Sequence, residues 1–113
     1  MAEKALFWLG SSLDDLRRFP SQARKIAGHQ LHRVQSGLEP TDWKPMPSVG
    51  PGVHEIRVRT RGIYRIFYVA KFTEGAYVLH AFRKKTQRTA KSDVDLAKQR
   101  FKELQQHRQE HEK

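Results

Sequence analysis

The fold turns on one stretch: Val53-His54-Glu55-Ile56-Arg57-Val58-Arg59-Thr60-Arg61-Gly62-Ile63-Tyr64-Arg65-Ile66-Phe67-Tyr68-Val69-Ala70-Lys71-Phe72-Thr73-Glu74-Gly75-Ala76-Tyr77-Val78-Leu79-His80-Ala81-Phe82. From Val53 to Thr60, apolar Ile56 and Val58 alternate with Glu55, Arg57 and Arg59, the period-two pattern of a half-buried strand. Arg61-Gly62 makes a tight turn into Ile63 to Lys71, a run dominated by β-branched and aromatic residues. Thr73-Glu74-Gly75 is a second turn, and Ala76 to Phe82 is a third strand. Three strands joined by turns this short form an antiparallel meander.

Upstream, Ala5 to Leu9 reads as a first strand, ended by Gly10-Ser11-Ser12. Ser11 or Ser12 is placed to cap a helix whose first turn holds Asp14 and Asp15 and whose Leu13, Leu16 and Phe19 face the core. After Pro20, Ser21 is placed to cap a second helix, with Ala23, Ile26, Ala27, Gln30, Leu31 and Val34 at helical spacing and Gly37 to stop it. Glu39 to Gly52 carries Pro40, Pro45, Pro47, Gly50, Pro51 and Gly52, so it is a loop with room for one short extended piece. Downstream, Ser92-x-x-Asp95 resembles a capping box, and Val94, Ala97, Phe101 and Leu104 mark an apolar stripe on a last helix. Gln105 to Lys113 is polar and charged, the composition of a flexible tail. The order β-α-α-β-β-β-α predicts an α+β fold, its antiparallel sheet carrying the helical hairpin on one face. Residues 1–104 are expected to form one domain, with 105–113 as the tail.

Charge narrows the function. The 113 residues hold 22 Lys and Arg against 12 Asp and Glu, a formal net charge of +10. Between Val53 and Lys91 the cations are Arg57, Arg59, Arg61, Arg65, Lys71, Arg83, Lys84, Lys85, Arg88 and Lys91, opposed by Glu55 and Glu74 alone. Such focusing attracts polyanions and releases counterions when phosphates are neutralised. There is no cysteine, so disulfides and thiolate metal sites are excluded, and the six His are scattered without zinc-site spacing. Neither a cofactor nor a metal is expected. The apolar run at residues 5–9 is too short for a signal peptide, and no segment is long enough to span a membrane, which points to the cytoplasm.

No phosphate-binding glycine loop, dinucleotide fingerprint, Gly-x-Ser-x-Gly or His-Glu-x-x-His is present. What remains is Arg, Lys and Tyr on consecutive strands. Arg65 interrupts an apolar run and either pairs with Glu55 across the sheet or holds a phosphate. Arg57 is balanced between an ion pair and a ligand contact, whereas Arg59 and Arg61 at the turn read as solvated. Tyr64 and Tyr68 fall on the opposite face from Arg65 and read as core aromatics. Arg83-Lys84-Lys85 are three adjacent cations, an arrangement that disfavours protonation and moves Lys84 or Lys85 toward neutrality. His80 reads first as a structural histidine and second as a general base.

Leu6-Phe7-Trp8-Leu9-Gly10-Ser11-Ser12-Leu13-Asp14-Asp15-Leu16, Phe19-Pro20, Trp43-Lys44-Pro45-Met46, Glu55-Ile56-Arg57-Val58, Tyr64-Arg65-Ile66-Phe67-Tyr68-Val69 and His80-Ala81-Phe82-Arg83-Lys84-Lys85-Thr86-Gln87 together resemble the phage-derived, HigB-like branch of the RelE/ParE toxin superfamily. The resemblance covers residues 4 to 104 and implies a RelE-like fold and a type II toxin–antitoxin pair. In it, a helix-turn-helix antitoxin neutralises this chain in a hetero-oligomer. Ribosome-dependent relatives cut mRNA in the ribosomal A site. Their catalytic positions fall on Arg65, Lys84, Lys85 and Arg57, with Arg59, Arg83, Thr86, Arg88 and Lys91 as expected RNA contacts. Where some relatives carry a His-Tyr pair or a carboxylate for proton transfer, this chain has Lys84-Lys85. The alternatives are a ParE-like toxin directed at gyrase and a non-toxic phage-derived nucleic-acid-binding protein.

Overall fold

The computed structural model describes residues 3–111. Its elements are β1 (Ala5–Trp8), α1 (Ser12–Arg17), α2 (Ser21–Gln35), β2 (Trp43–Pro45), β3 (Val53–Arg59), β4 (Ile63–Phe72), β5 (Gly75–Lys84) and α3 (Lys91–His111). Five strands form one sheet in the order β1-β5-β4-β3-β2, an α+β architecture consistent with a RelE-like fold. β2 to β5 pair antiparallel, whereas β1 pairs parallel with β5, Ala5 opposite Gly75 and Trp8 opposite Val78. The sheet is therefore mixed at one edge. The chain crosses a whole sheet face through α1 and α2 before entering the far edge at β2, and the meander then returns a strand to β1 in the same direction.

Strand alternation divides the apolar residues between two cores. On one face Ile56, Val58, Tyr64, Ile66, Tyr68 and Val78 meet Leu16 and Phe19 of the α1–α2 hairpin and Ala23, Ala27, Leu31 and Val34 of α2. On the other, Val53, Phe67, Val69, Leu79 and Phe82 meet Ala97, Phe101 and Leu104 of α3, with Met46 and Val49 closing the end. Both faces of the sheet centre are thus dry, which is why β4 reads as a nearly continuous apolar run.

Several local expectations change. The short extended piece for which the Pro-rich segment had room is Trp43–Pro45, now an edge strand paired with His54–Ile56, a place where proline is tolerated because one side of an edge strand has no ladder to feed. Pro20, extended at φ −54 and ψ 155, takes the N-cap position expected for Ser21, which is the first residue of α2. Ser11 precedes α1, but its hydroxyl donates to Asp15 Oδ2 at 2.7 Å. α3 begins at Lys91, so Ser92 lies inside its first turn, and the amides of Asp93 and Val94 both donate to Ala90 O. Gly37 follows α2 at φ +80, the left-handed stop that its position suggested.

The polar stretch expected as a tail continues α3 through Gln105–His111; residues 112 and 113, and Met1 and Ala2, lie outside the described residues. The helix persists because Arg108 stacks over the Phe72 ring at 3.7 Å and hydrogen-bonds Glu74 in the β4–β5 turn. β5 also runs two residues beyond Phe82, bringing Arg83 and Lys84 into the sheet. Its register slips where Tyr68 faces Val78 and Phe67 faces His80, so Leu79 has no partner on β4. Arg100 of α3 satisfies that bulge, donating from Nη1 to Leu79 O at 2.9 Å and from Nη2 to Ser11 Oγ at 3.1 Å. Gly10, at φ +53, is needed there: a Cβ would stand 2.6 Å from Arg100 Nε.

Burial, with Glu39 adding to it, pushes the Tyr68 phenol well above its ordinary 10.0. The unfolded chain releases that proton near its ordinary value while the fold holds it. Stability is accordingly expected to fall as pH climbs past 10, and Tyr68→Phe should flatten that alkaline slope in urea midpoints taken on either side of it.

Candidate functional site

α3 covers only part of its sheet face. Directly opposed residues in antiparallel strands share a face, so the pairs Lys44–Glu55, Arg57–Arg65, Arg59–Ile63 and Ile63–Lys84 place one charged group beyond the edge of the α3 core. Its hub is Glu55, fully buried. Glu55 Oε1 lies 3.3 Å from Arg65 Nε, 3.6 Å from Arg57 Nε and 3.8 Å from Lys44 Nζ. These are ion-pair distances without aligned hydrogen bonds: both carboxylate oxygens and both guanidinium Nε atoms are buried without a hydrogen-bond partner. Arg65 is 5% exposed and spends Nη1 on Tyr64 O at 3.3 Å. Asp42 holds Arg59 Nε at 2.9 Å and Arg57 Nη1 at 3.9 Å.

Five cations (Lys44, Arg57, Arg59, Arg65 and Lys84) thus share this patch with two carboxylates, Glu55 and Asp42. Burial, opposed in part by Glu55, lowers the proton affinity of Arg65. Lys84 is also pushed below the ordinary lysine value, by burial first and then by the positive charge of Arg65, with Lys44 and Arg57 adding to it. A surplus of guanidinium and ammonium groups on one end of a sheet face can hold a phosphodiester and offset charge developing at phosphorus.

The residues singled out from the sequence separate into two sets. Arg57, Arg59, Arg65 and Lys84 come together on this face. Arg83 sits opposite Tyr64 and so leaves β5 on the α1–α2 side, the opposite face from Lys84, although both border the cleft at the open edge of β5. Lys85, Thr86 and Arg88 are exposed in the connection from β5 to α3, where Thr86 Oγ1 donates to Arg88 O, and Lys91 opens α3. Tyr64 and Tyr68 are core residues of the other face.

Lys44 and Asp42 were not legible in the sequence, because they belong to the Pro-rich segment whose pairing with β3 no local periodicity announces. His80, 6% exposed, stacks on Phe82 at 4.7 Å and meets Asp93 Oδ1 from Nε2 at 2.8 Å. The first turn of α3 is tied to the sheet by that contact.

Among the described residues no helix is long and apolar enough to cross a membrane. None of the curated proteins matches the chain. The family described as "Phage derived protein Gp49-like (DUF891)" matches residues 14–102, a span that runs from α1 through the meander to the Phe101 turn of α3 and contains the whole charged patch. The protein therefore belongs to the Gp49-like phage-derived family, a RelE/HigB-like toxin family associated with toxin–antitoxin pairs.

Proposed function

We propose that the protein is the toxin of a type II toxin–antitoxin pair and acts as a ribosome-dependent endoribonuclease on mRNA. The observation that carries this reading is the surplus of five cations over two carboxylates on the open end of the α3 face. In this reading Arg57 and Arg65 hold the scissile phosphate and stabilise the charge that builds as a 2′-hydroxyl attacks phosphorus. Lys84 binds its proton less tightly than an ordinary lysine, which makes it a better acid. It delivers that proton to the departing 5′ oxygen as the P–O5′ bond breaks, while the proton of the attacking 2′-hydroxyl passes to water and the message is left with a 2′,3′-cyclic phosphate. Arg59, Lys85, Thr86, Arg88 and Lys91 border the path of the strand and supply backbone contacts, while Arg83 serves the neighbouring face. A helix-turn-helix antitoxin is the neutralising partner.

Induced expression in bacteria tests this, following growth and mapping the 5′ ends of messages. Arg65→Ala strips a counter-charge from buried Glu55, so the informative variants are Lys84→Ala, at a half-buried strand end, and Arg65→Lys. Wild type is expected to arrest growth and create new ends inside translated codons. Lys84→Ala should reduce cleavage by about 10²–10⁴-fold, the usual contribution of a positioned acid. Arrest with intact messages would replace this reading with a gyrase-directed toxin. Normal growth at good soluble expression would leave the basic face as a binding surface.

A further inference from the structure

The lysines of this chain do not stand in equal surroundings. Lys4 donates to Ala70 O at 3.2 Å, Lys44 lies 3.8 Å from Glu55 Oε1, and Lys71 sits 5.5 Å over the Phe72 ring. A carbonyl, a carboxylate and a ring face each hold an ammonium group in place. Lys25, Lys98 and Lys102 stand exposed on helices, their side chains in water.

Lys84 differs from all of these. It is half-buried at the end of β5 and makes no hydrogen bond or ion pair among the described residues. The charges that reach it are Arg65, Lys44 and Arg57, opposed by Glu55. Burial first and these cations second lower its hold on a proton, so more of it is an uncharged amine at neutral pH than of an ordinary lysine. Only the uncharged amine carries a lone pair that attacks carbon.

Position adds two further features. Lys84 borders a cleft of about 710 Å³ between the α1–α2 turn, the end of β5 and the start of α3, with Phe19, Tyr64 and Phe82 in its wall. The amine is therefore reached from solvent, with apolar room beside it for a short acyl chain. On the sheet, Lys84 shares the α3 face with Arg57 and Arg65, whose guanidinium groups suit a phosphate.

We propose that Lys84 is a modification site, acylated on Nζ by an acyl phosphate whose phosphate rests on the Arg57–Arg65 side and whose acyl group enters the cleft. The Nζ lone pair attacks the acyl carbon. A new N–C bond forms as the C–O bond to phosphate breaks, and phosphate leaves with that electron pair. The proton displaced from nitrogen passes to water, and nothing is oxidised or reduced. The product is a neutral amide, so the patch loses one positive charge. It also loses the proton that Lys84 would give a leaving oxygen. Silencing of the toxin by this route rests on the nuclease reading above, whereas the modification itself does not.

Incubating the full-length protein with acetyl phosphate near neutral pH, and following each lysine by peptide mass spectrometry, tests this. Lys84 is expected to gain acetyl groups about tenfold faster than exposed Lys98 and Lys102, a small part of what holding a reactant in place can supply. Inorganic phosphate should shrink that lead by competing for the arginines, and Arg57→Gln should shrink it too. A neutral reagent, N-hydroxysuccinimidyl acetate, should favour Lys84 less than acetyl phosphate does. Equal rates at Lys84, Lys98 and Lys102 would overturn the proposal. So would a lead that inorganic phosphate leaves unchanged, or faster reaction at Lys44 or Lys85. A lead at Lys84 in a protein that leaves messages intact on translating ribosomes would retire the nuclease reading and leave the modification site standing.

Discussion

Glu55→Ala is expected to lower the stability of the folded protein by about 3–5 kcal/mol, the cost of breaking a buried charge pair by removing one partner. The effect comes from what remains. Arg65, 5% exposed, would keep its charge in a buried setting with Arg57 and Lys44 nearby and only Asp42, held by Arg57 and Arg59, as a distant counter-charge. A loss of this size is a large part of the total stability of a small domain. Urea unfolding at neutral pH gives the measurement, with the midpoint moving and the slope unchanged. The double replacement Glu55→Leu with Arg65→Met should recover most of the loss, since an apolar pair of similar volume has no charge to desolvate. A loss of less than about 1 kcal/mol for Glu55→Ala would mean that the cluster behaves as an exposed surface pair, and that its burial does not matter.

Phe101→Ala should be comparably damaging, about 3–5 kcal/mol, as expected for truncating a buried aromatic. Phe101 is 4% exposed and is the middle contact of the α3 stripe between Ala97 and Leu104. Its ring packs where Gly50 offers no side chain: a Cβ on Gly50 would stand 2.5 Å from the ring. Gly50→Ala alone should therefore cost about 1–3 kcal/mol through overpacking. Placed in the Phe101→Ala background it should cost much less, because the colliding ring is gone. Such non-additivity between contacting residues is the signature to seek in the four-member cycle of denaturation midpoints. Additive losses would show that α3 docks by its other contacts. Hydrogen exchange should locate the released protection in α3, ahead of β4.

These two predictions draw on different kinds of information. The Phe101 stripe is periodic, and Val94, Ala97, Phe101 and Leu104 announce one helix face without any tertiary knowledge. The same holds for Ile56 and Val58 against Glu55, Arg57 and Arg59, and for the Gly-bearing turns that make the meander. Each of these signals lies within a few residues, where backbone geometry alone decides which side chains share a face. The pairing of Arg65 with Glu55 was one of two readings open from the chain, and the two meet diagonally across a single hairpin, Arg65 facing Arg57 and Glu55 facing Phe67.

Only the tertiary structure decided the rest. That Lys44 and Asp42 complete the charged cluster depends on the register of an edge strand within a segment of prolines and glycines, whose local pattern carries no period. The parallel placement of β1 beside β5, the Arg100 side chain that satisfies the Leu79 bulge, and the persistence of α3 to His111 all join residues far apart in the chain. So does the contact of His80 with Asp93, which turns a histidine inside a strand into one wall of a cleft. By itself the sequence determined seven of the eight elements and their order, which faces are apolar and where the positive charge concentrates. Distances, partners and burial were settled by packing, because the energy of a buried charge depends on which distant groups the fold brings within a few ångströms of it.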